Sequence, residues 1–139
     1  MATKSGAQII AIEEHYLDPE VSQYFEGRNA ARAPAIVSKL EDLGEMRLKE
    51  MDDAGIDIQV LSHGAPATQR IPADIAVPLS VEANDRLYQT IQATPDRFAG
   101  FAVLPTDDAK ASAEELERCV DMLGFKGAMI HGPSNGVFL

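Results

Sequence analysis

A glutamate and a histidine lie two positions apart directly after an apolar run near the start of the sequence. Residues 9–12 are apolar and are followed by Glu13, Glu14 and His15. Because side chains alternate along a strand, Glu13 and His15 are expected to share a face opposite Glu14. A carboxylate beside an imidazole can supply two ligands to a divalent cation such as Zn, Mn or Mg. The other interpretation is a polar strand end with a solvated histidine, since these residue types alone are a weak signal.

The rest of the sequence alternates between short β-rich runs and amphipathic helical patterns. Strands are predicted over residues 8–12, 58–62, 98–104 and 126–130, with helices over 36–54, 74–94 and from Asp107 or Asp108 to Gly124. Gly55 is expected to end the first helix in a left-handed conformation. This βαβαβαβ order is typical of an α/β fold whose strands form a parallel sheet with right-handed crossovers.

Two architectures fit this order of elements. With 139 residues, the length favours a small open sheet, since a (β/α)8 barrel typically needs about 250 residues. However, no glycine-rich phosphate loop follows the first strand, which removes the main support for a nucleotide-binding open sheet. Glu13 and His15 end that strand, and barrel active sites lie at the carboxyl ends of the strands. We therefore predict that residues 1–139 form a single partial domain, the N-terminal half of a TIM-type (β/α)8 barrel.

Two further histidines follow predicted strands and would face the same barrel mouth. His63 follows the second strand and His131 follows the fourth. We expect both to line a substrate pocket and to donate hydrogen bonds to a hydroxyl or carboxylate, with Ala65 shaping its floor. The alternative is that they are loop histidines whose ring nitrogens bind backbone or water. Metal ligation by either histidine is disfavoured.

Composition excludes several classes of partner. The formal net charge is −10, so we expect no nucleic-acid partner and no anionic membrane surface, both of which need a basic face. The first apolar run is too short for an export or membrane segment, and a cytoplasmic protein is expected.

Three residues within predicted helices are expected to have structural roles. Cys119 is the single cysteine and is predicted to be a buried packing thiol rather than a nucleophile. Asn84 and Asp85 lie inside a helix, where neither residue is favoured, so a tertiary hydrogen bond is expected there.

Several segments together resemble one branch of the amidohydrolase superfamily. That superfamily opens with a His-x-His pair on its first strand. In the branch containing γ-resorcylate, 2,3-dihydroxybenzoate and 5-carboxyvanillate decarboxylases, glutamate replaces the first histidine. The segments that carry the resemblance are residues 11–15 (AIEEH), 47–57 (RLKEMDDAGID), 61–66 (LSHGAP), 83–85 (AND), 95–98 (PDRF) and 123–127 (LGFKG). The resemblance extends over about residues 9–139.

The resemblance implies a metal-dependent, non-oxidative decarboxylase acting on hydroxylated aromatic carboxylic acids. Glu13 and His15 would be ligands of a divalent metal (Zn, Mn or Mg), and no catalytic residue is expected before Leu139. A small aromatic carboxylate is the implied partner, and a homo-oligomer is expected. One alternative is a metal-dependent lactonase or amidase of the same superfamily. Another is a non-catalytic fragment that associates with itself through open sheet edges.

Overall fold

The computed structural model describes residues 6–25 and 33–138. Within these residues the chain forms three strands, five α-helices and one 3₁₀ turn. In chain order they are β1 (Ile10–Tyr16), α1 (Pro19–Ser22), the 3₁₀ turn (Gln23–Phe25), α2 (Pro34–Glu41), α3 (Glu45–Ala54), β2 (Ile58–His63), α4 (Ala73–Ala93), β3 (Phe98–Gly100) and α5 (Ala109–Asp121). No helix among them is long and apolar enough to cross a membrane.

The strands form one parallel sheet in the order β1-β2-β3. The prediction of a fourth strand over residues 126–130 is wrong, because this segment makes only an isolated parallel bridge between Ala102 and Ala128. This segment still runs beside the chain that follows β3, since the amide of Ala102 donates to the carbonyl of Gly127 at 2.8 Å. Gly127 has a φ of 141°, which interrupts the extended conformation that a strand requires.

The single helix predicted over residues 36–54 is two helices, α2 and α3. The chain becomes extended at Asp42, where φ is −78° and ψ is 115°. The Asp42 carboxylate accepts a hydrogen bond from the amide of Gly44 at 2.9 Å, which competes with continuation of the helix. The predicted end at Gly55 is confirmed, since this residue has a φ of 72°.

The main core lies between the sheet and the helices that cover one of its faces. It contains buried side chains from all three strands, from α3, α4 and α5, and from the segments after β3 and α5 (Tyr16, Met51, Leu61, Leu87, Phe98, Ala102, Leu104, Cys119 and Phe125). Cys119 is fully buried, as predicted, and burial raises the pKa of its thiol to about 12. By contrast, Ile10 and Ile12 of β1 are 53% and 62% exposed, so this strand has an uncovered apolar surface.

A buried polar network joins α4 to α5 and to the chain after β3. The side-chain Nδ2 of Asn84 donates to the backbone carbonyl of Val103 at 2.9 Å and to the carboxylate of Glu115 at 2.7 Å. The side-chain Oδ1 of Asn84 accepts a hydrogen bond from the backbone amide of Val103 at 2.8 Å. Burial raises the pKa of Glu115, but hydrogen bonds from Arg118, Asn84 and Cys119 outweigh burial and leave the pKa below its ordinary value. The tertiary hydrogen bond expected at Asn84 is thus confirmed.

Candidate metal-binding site

A β-bulge in β1 determines which way the candidate ligands point. Ala11 pairs with Gln59, but Glu14 pairs with Leu61, so two residues of β1 stand opposite one residue of β2. Glu13 lies in this bulge with a φ of 60°, a conformation that is uncommon outside glycine. Bulges of this kind occur beside active sites, where they redirect a side chain. The uninterrupted alternation assumed from the sequence is therefore wrong for this strand.

The bulge places Glu14 and His15 on opposite faces of the sheet. Glu14 accepts a hydrogen bond from Gln59 at 3.3 Å and lies towards α3. Tyr16, which has the same orientation as Glu14, is buried in the main core. His15 lies between them in sequence and is exposed on the face that the helices leave open. Without the extra residue, His15 would share the orientation of Ala11 and point towards the helices.

The ring of His15 has one polar neighbour that sequence reasoning did not identify. Its Nδ1 atom lies 2.9 Å from the hydroxyl of Ser62, the residue that pairs with it across the sheet. Ser62 is completely buried. In the sequence, Ser62 lies two residues after Val60 in the second strand, so the two side chains are expected on the same face. Only the register of β1 against β2 identifies Ser62 as the partner of His15.

His131 lies beside His15 and close to Glu13. The centroids of the two imidazole rings are 5.6 Å apart, and their planes cross at 68°. Burial lowers the pKa of His131, and the neighbouring His15 lowers it further. The His63 carbonyl and the Glu13 carboxylate act in the opposite direction but do not outweigh burial. The structure therefore brings the rings of His15 and His131 together, and Glu13 is close enough to influence the pKa of His131.

The position of His131 is held by two groups from β2 and the loop that follows it. Its Nε2–H donates to the carbonyl of His63 at 2.7 Å, so this nitrogen is occupied and Nδ1 is the ring nitrogen left for a ligand. The buried side chain of Gln69 accepts from the amide of His131 at 2.6 Å and donates to the carbonyl of Gly132 at 3.1 Å. Gln69 is a second positioning residue that the sequence pattern did not indicate.

The side chain of His63 lies on the other face of the sheet from His15. It is buried against Tyr16, with ring centroids 5.4 Å apart, and its Nδ1–H donates to the carbonyl of Gly64 at 2.7 Å. Burial lowers its pKa. His63 reaches the candidate site through its backbone carbonyl rather than its ring. Ala65 is exposed in the turn that follows β2.

The donor set fits part of a divalent-metal site. Glu13 offers a carboxylate, and His15 offers an imidazole whose Nδ1 is already occupied by Ser62. Carboxylate and imidazole together suit manganese and zinc. Across residues 6–25 and 33–138, no group of three or more His, Cys, Asp or Glu side chains could hold a metal ion. Glu13 and His15 therefore have the chemistry of two ligands, and a complete coordination shell needs further donors.

Arg47 holds the backbone of β1 in place. Its guanidinium donates to the carbonyl of His15 at 3.0 Å, to that of Asp42 at 2.9 Å and to the side chain of Gln59 at 3.2 Å. Arg97 similarly donates to the carbonyl of Asp57 at 2.9 Å. Both arginines belong to the segments that carry the family resemblance, and both act here on the protein's own backbone.

The parallel βα units, with a carboxylate and an imidazole in the carboxyl-terminal half of β1, are typical of an α/β-barrel protein, and the family comparison agrees with this class. A family model described as amidohydrolase matches residues 10–138. The chain belongs to this amidohydrolase family. Its structural neighbours are TIM-barrel decarboxylases, and it corresponds to their N-terminal part, which confirms the predicted fold class.

Individual relatives are aromatic-acid decarboxylases. The chain is 42% identical over 129 residues to γ-resorcylate decarboxylase of Rhodococcus jostii, a match that covers 88% of this chain and 38% of the relative. A dihydroxybenzoic acid decarboxylase from Polaromonas, solved with manganese and 2-nitroresorcinol, has a TM-score of 0.83 and 38% identity, covering 91% of this chain and 39% of that one. A manganese-bound 5-carboxyvanillate decarboxylase from Novosphingobium aromaticivorans has a TM-score of 0.90 and 32% identity, covering 98% of this chain and 45% of that one. The chain thus spans about two fifths of the length of these relatives.

Proposed function

We propose that the protein is a metal-dependent decarboxylase of hydroxylated aromatic carboxylic acids, in which Glu13 and His15 supply two of the metal ligands. The observation that carries the proposal is the bulge at Glu13, which turns His15 onto the open face beside Glu13 and His131. Relatives with the same fold bind manganese and decarboxylate hydroxylated benzoates, which supports both the cofactor and the substrate class.

The residues around this site have distinct roles in the proposed reaction. When bound, a divalent metal supplies positive charge that attracts the substrate carboxylate and an adjacent phenolic oxygen, which fixes the orientation of the ring. Nδ1 of His131 is the nitrogen free to contact a substrate hydroxyl, because Nε2–H donates to the carbonyl of His63. Ala65 presents a small apolar surface after β2, suited to the face of an aromatic ring.

The proposed activity is tested by supplying the full-length protein and Mn²⁺ with 2,6-dihydroxybenzoate, 2,3-dihydroxybenzoate and 5-carboxyvanillate. We expect CO2 release from at least one of them. We expect the His15→Ala variant to lose about 100-fold or more of the rate, since metal-centred stabilisation contributes several kcal/mol. Glu14→Gln is the matched control, because Glu14 lies on the helix-covered side. Hydrolysis of a lactone panel without CO2 release would instead establish the hydrolase alternative.

A second candidate function is self-association, and the surface of β1 favours it. Ile9, Ile10 and Ile12 are 54%, 53% and 62% exposed, and β1 lies at an edge of the sheet formed by the described residues. An open edge beside exposed apolar side chains favours pairing with a second copy of the chain.

Sedimentation of the 139-residue chain tests this candidate. We expect a concentration-dependent dimer that the Ile12→Lys variant weakens about tenfold or more, since burying one isoleucine contributes about 1.5–3 kcal/mol. Met122→Lys is the matched control, because Met122 is 74% exposed at the end of α5. A monomer at every concentration would count against self-association.

A further inference from the structure

A single hydrogen bond joins the candidate ligand His15 to the neighbouring strand. Nδ1 of His15 lies 2.9 Å from the hydroxyl oxygen of Ser62, which is completely buried. The two residues are direct partners in the parallel pairing of β1 with β2. Because the serine lies inside the sheet, its Cβ is held by the backbone of β2 and not by a mobile loop.

The bulge in β1 is what makes this contact possible. Continuing the pairing of Ala11 with Gln59 without a bulge would place His15 opposite His63. The extra residue at Glu13 moves the register by one, so that His15 stands opposite Ser62 and Tyr16 stands opposite His63. The same local distortion therefore exposes the His15 ring and supplies its partner.

The chemistry of imidazole explains what this partner does. In a neutral imidazole one nitrogen carries the proton and the other carries the lone pair that can bind a metal. If Nδ1–H donates to Ser62, the lone pair is on Nε2, which is the nitrogen not engaged by the sheet. Partners of this kind commonly fix both the tautomer and the ring orientation of metal-binding histidines.

We infer that Ser62 is a positioning residue that accepts the Nδ1 hydrogen of His15 and thereby presents Nε2 as the metal-binding nitrogen. This inference rests on the proposed function, since it assumes that His15 is a ligand. Glu13, the other candidate ligand, lies in the bulge two residues before His15. The bulge thus sets the position of one ligand while Ser62 sets the orientation of the other.

The metal-free full-length protein allows a direct measurement. Nitrogen-15 NMR of the histidine side chains, at a pH where imidazole is neutral, reports which ring nitrogen carries the proton. For the wild type we expect His15 to carry it on Nδ1. In Ser62→Ala we expect the proton to move largely to Nε2, and in Ser62→Thr, which keeps a hydroxyl, to return to Nδ1. Wild-type His15 protonated on Nε2 would overturn the inference.

Mn²⁺ affinity gives a second readout for the same variants. We expect Ser62→Ala to weaken binding about 10- to 100-fold, the usual effect of removing such a partner, and Ser62→Thr to restore most of it. Ser80→Ala is the matched control, since it removes another buried hydroxyl, bonded to Thr68 at 2.9 Å. If Ser80→Ala weakens binding equally, the effect is general destabilisation and the inference fails.

The outcome for His15→Ala separates the two proposals. If His15→Ala leaves Mn²⁺ binding unchanged, the proposed metal site is wrong. If His15→Ala abolishes binding while Ser62→Ala binds like the wild type and keeps the Nδ1 proton, the site stands and only the role of Ser62 is rejected.

Discussion

Replacing His15 or Glu13 by alanine in the full-length protein is expected to reduce Mn²⁺ affinity by about 100-fold or more. Losing a partner of a ligand commonly costs about 10- to 100-fold, and losing the ligand itself should cost more. Glu13 lies in the bulge of β1, and His15, which follows the bulge, is exposed on the face that the helices leave open. Calorimetric titration with Mn²⁺, together with elemental analysis of the purified variants, measures the effect.

Glu14→Ala is the control for these variants because it removes a carboxylate adjacent to both candidate ligands. Its side chain accepts from Gln59 on the helix-covered side, so we expect its Mn²⁺ affinity to stay within about twofold of the wild type. If Glu14→Ala weakened binding as much as His15→Ala, general negative charge near the strand end would explain binding better than coordination. If none of the three variants lost affinity, the metal would bind elsewhere in the protein.

The Asn84→Leu substitution is expected to lower the free energy of unfolding by about 3–5 kcal/mol. Leucine has a similar size, but it leaves the amide and carbonyl of Val103 and the carboxylate of Glu115 without the hydrogen bonds that Asn84 supplies. Each buried polar group left without a partner costs about 1–3 kcal/mol. Urea denaturation followed by circular dichroism measures the loss.

Asp85→Asn is the matched control for Asn84→Leu, since it changes the next residue of the same helix. Asp85 pairs with Arg118 at 2.8 Å, but its side chain is 48% exposed. An exposed ion pair contributes about 0–1 kcal/mol, so a small effect is expected. Equal losses in the two variants would show that the buried amide network has no special role in holding α4 against α5.

Local sequence signals indicated most of the order of elements, although the helix predicted over residues 36–54 is two helices and the fourth predicted strand is not regular. The apolar runs predicted β1, β2 and β3, and Gly55 marked the end of α3 because its left-handed conformation suits glycine. Asn84 is predicted to make a tertiary hydrogen bond because asparagine is disfavoured in a helix interior. The metal role of Glu13 and His15 stays a prediction.

The details of the site depend on contacts between residues far apart in the sequence. His15 pairs with Ser62, a residue 47 positions later in the sequence. A one-residue bulge in β1 decides whether Ser62 or His63 is the partner of His15. Gln69 contacts His131 across 62 positions. No local pattern encodes either contact, so the sequence does not indicate Ser62 or Gln69, and only the structure shows that the ring of His63 packs against Tyr16.

The sequence by itself therefore determined the class of fold, the alternation of strands with helices as far as β3, and the residue types near the candidate site, because these follow from local periodicity and chemistry. The tertiary structure alone decided which side chains face the site. The face to which a strand residue points depends on the register, and the register of β1 against β2 changes by one residue at the bulge, where Glu13 has a φ of 60°. His15 consequently meets Ser62 on the open face while Glu14 and Tyr16 turn towards the helices.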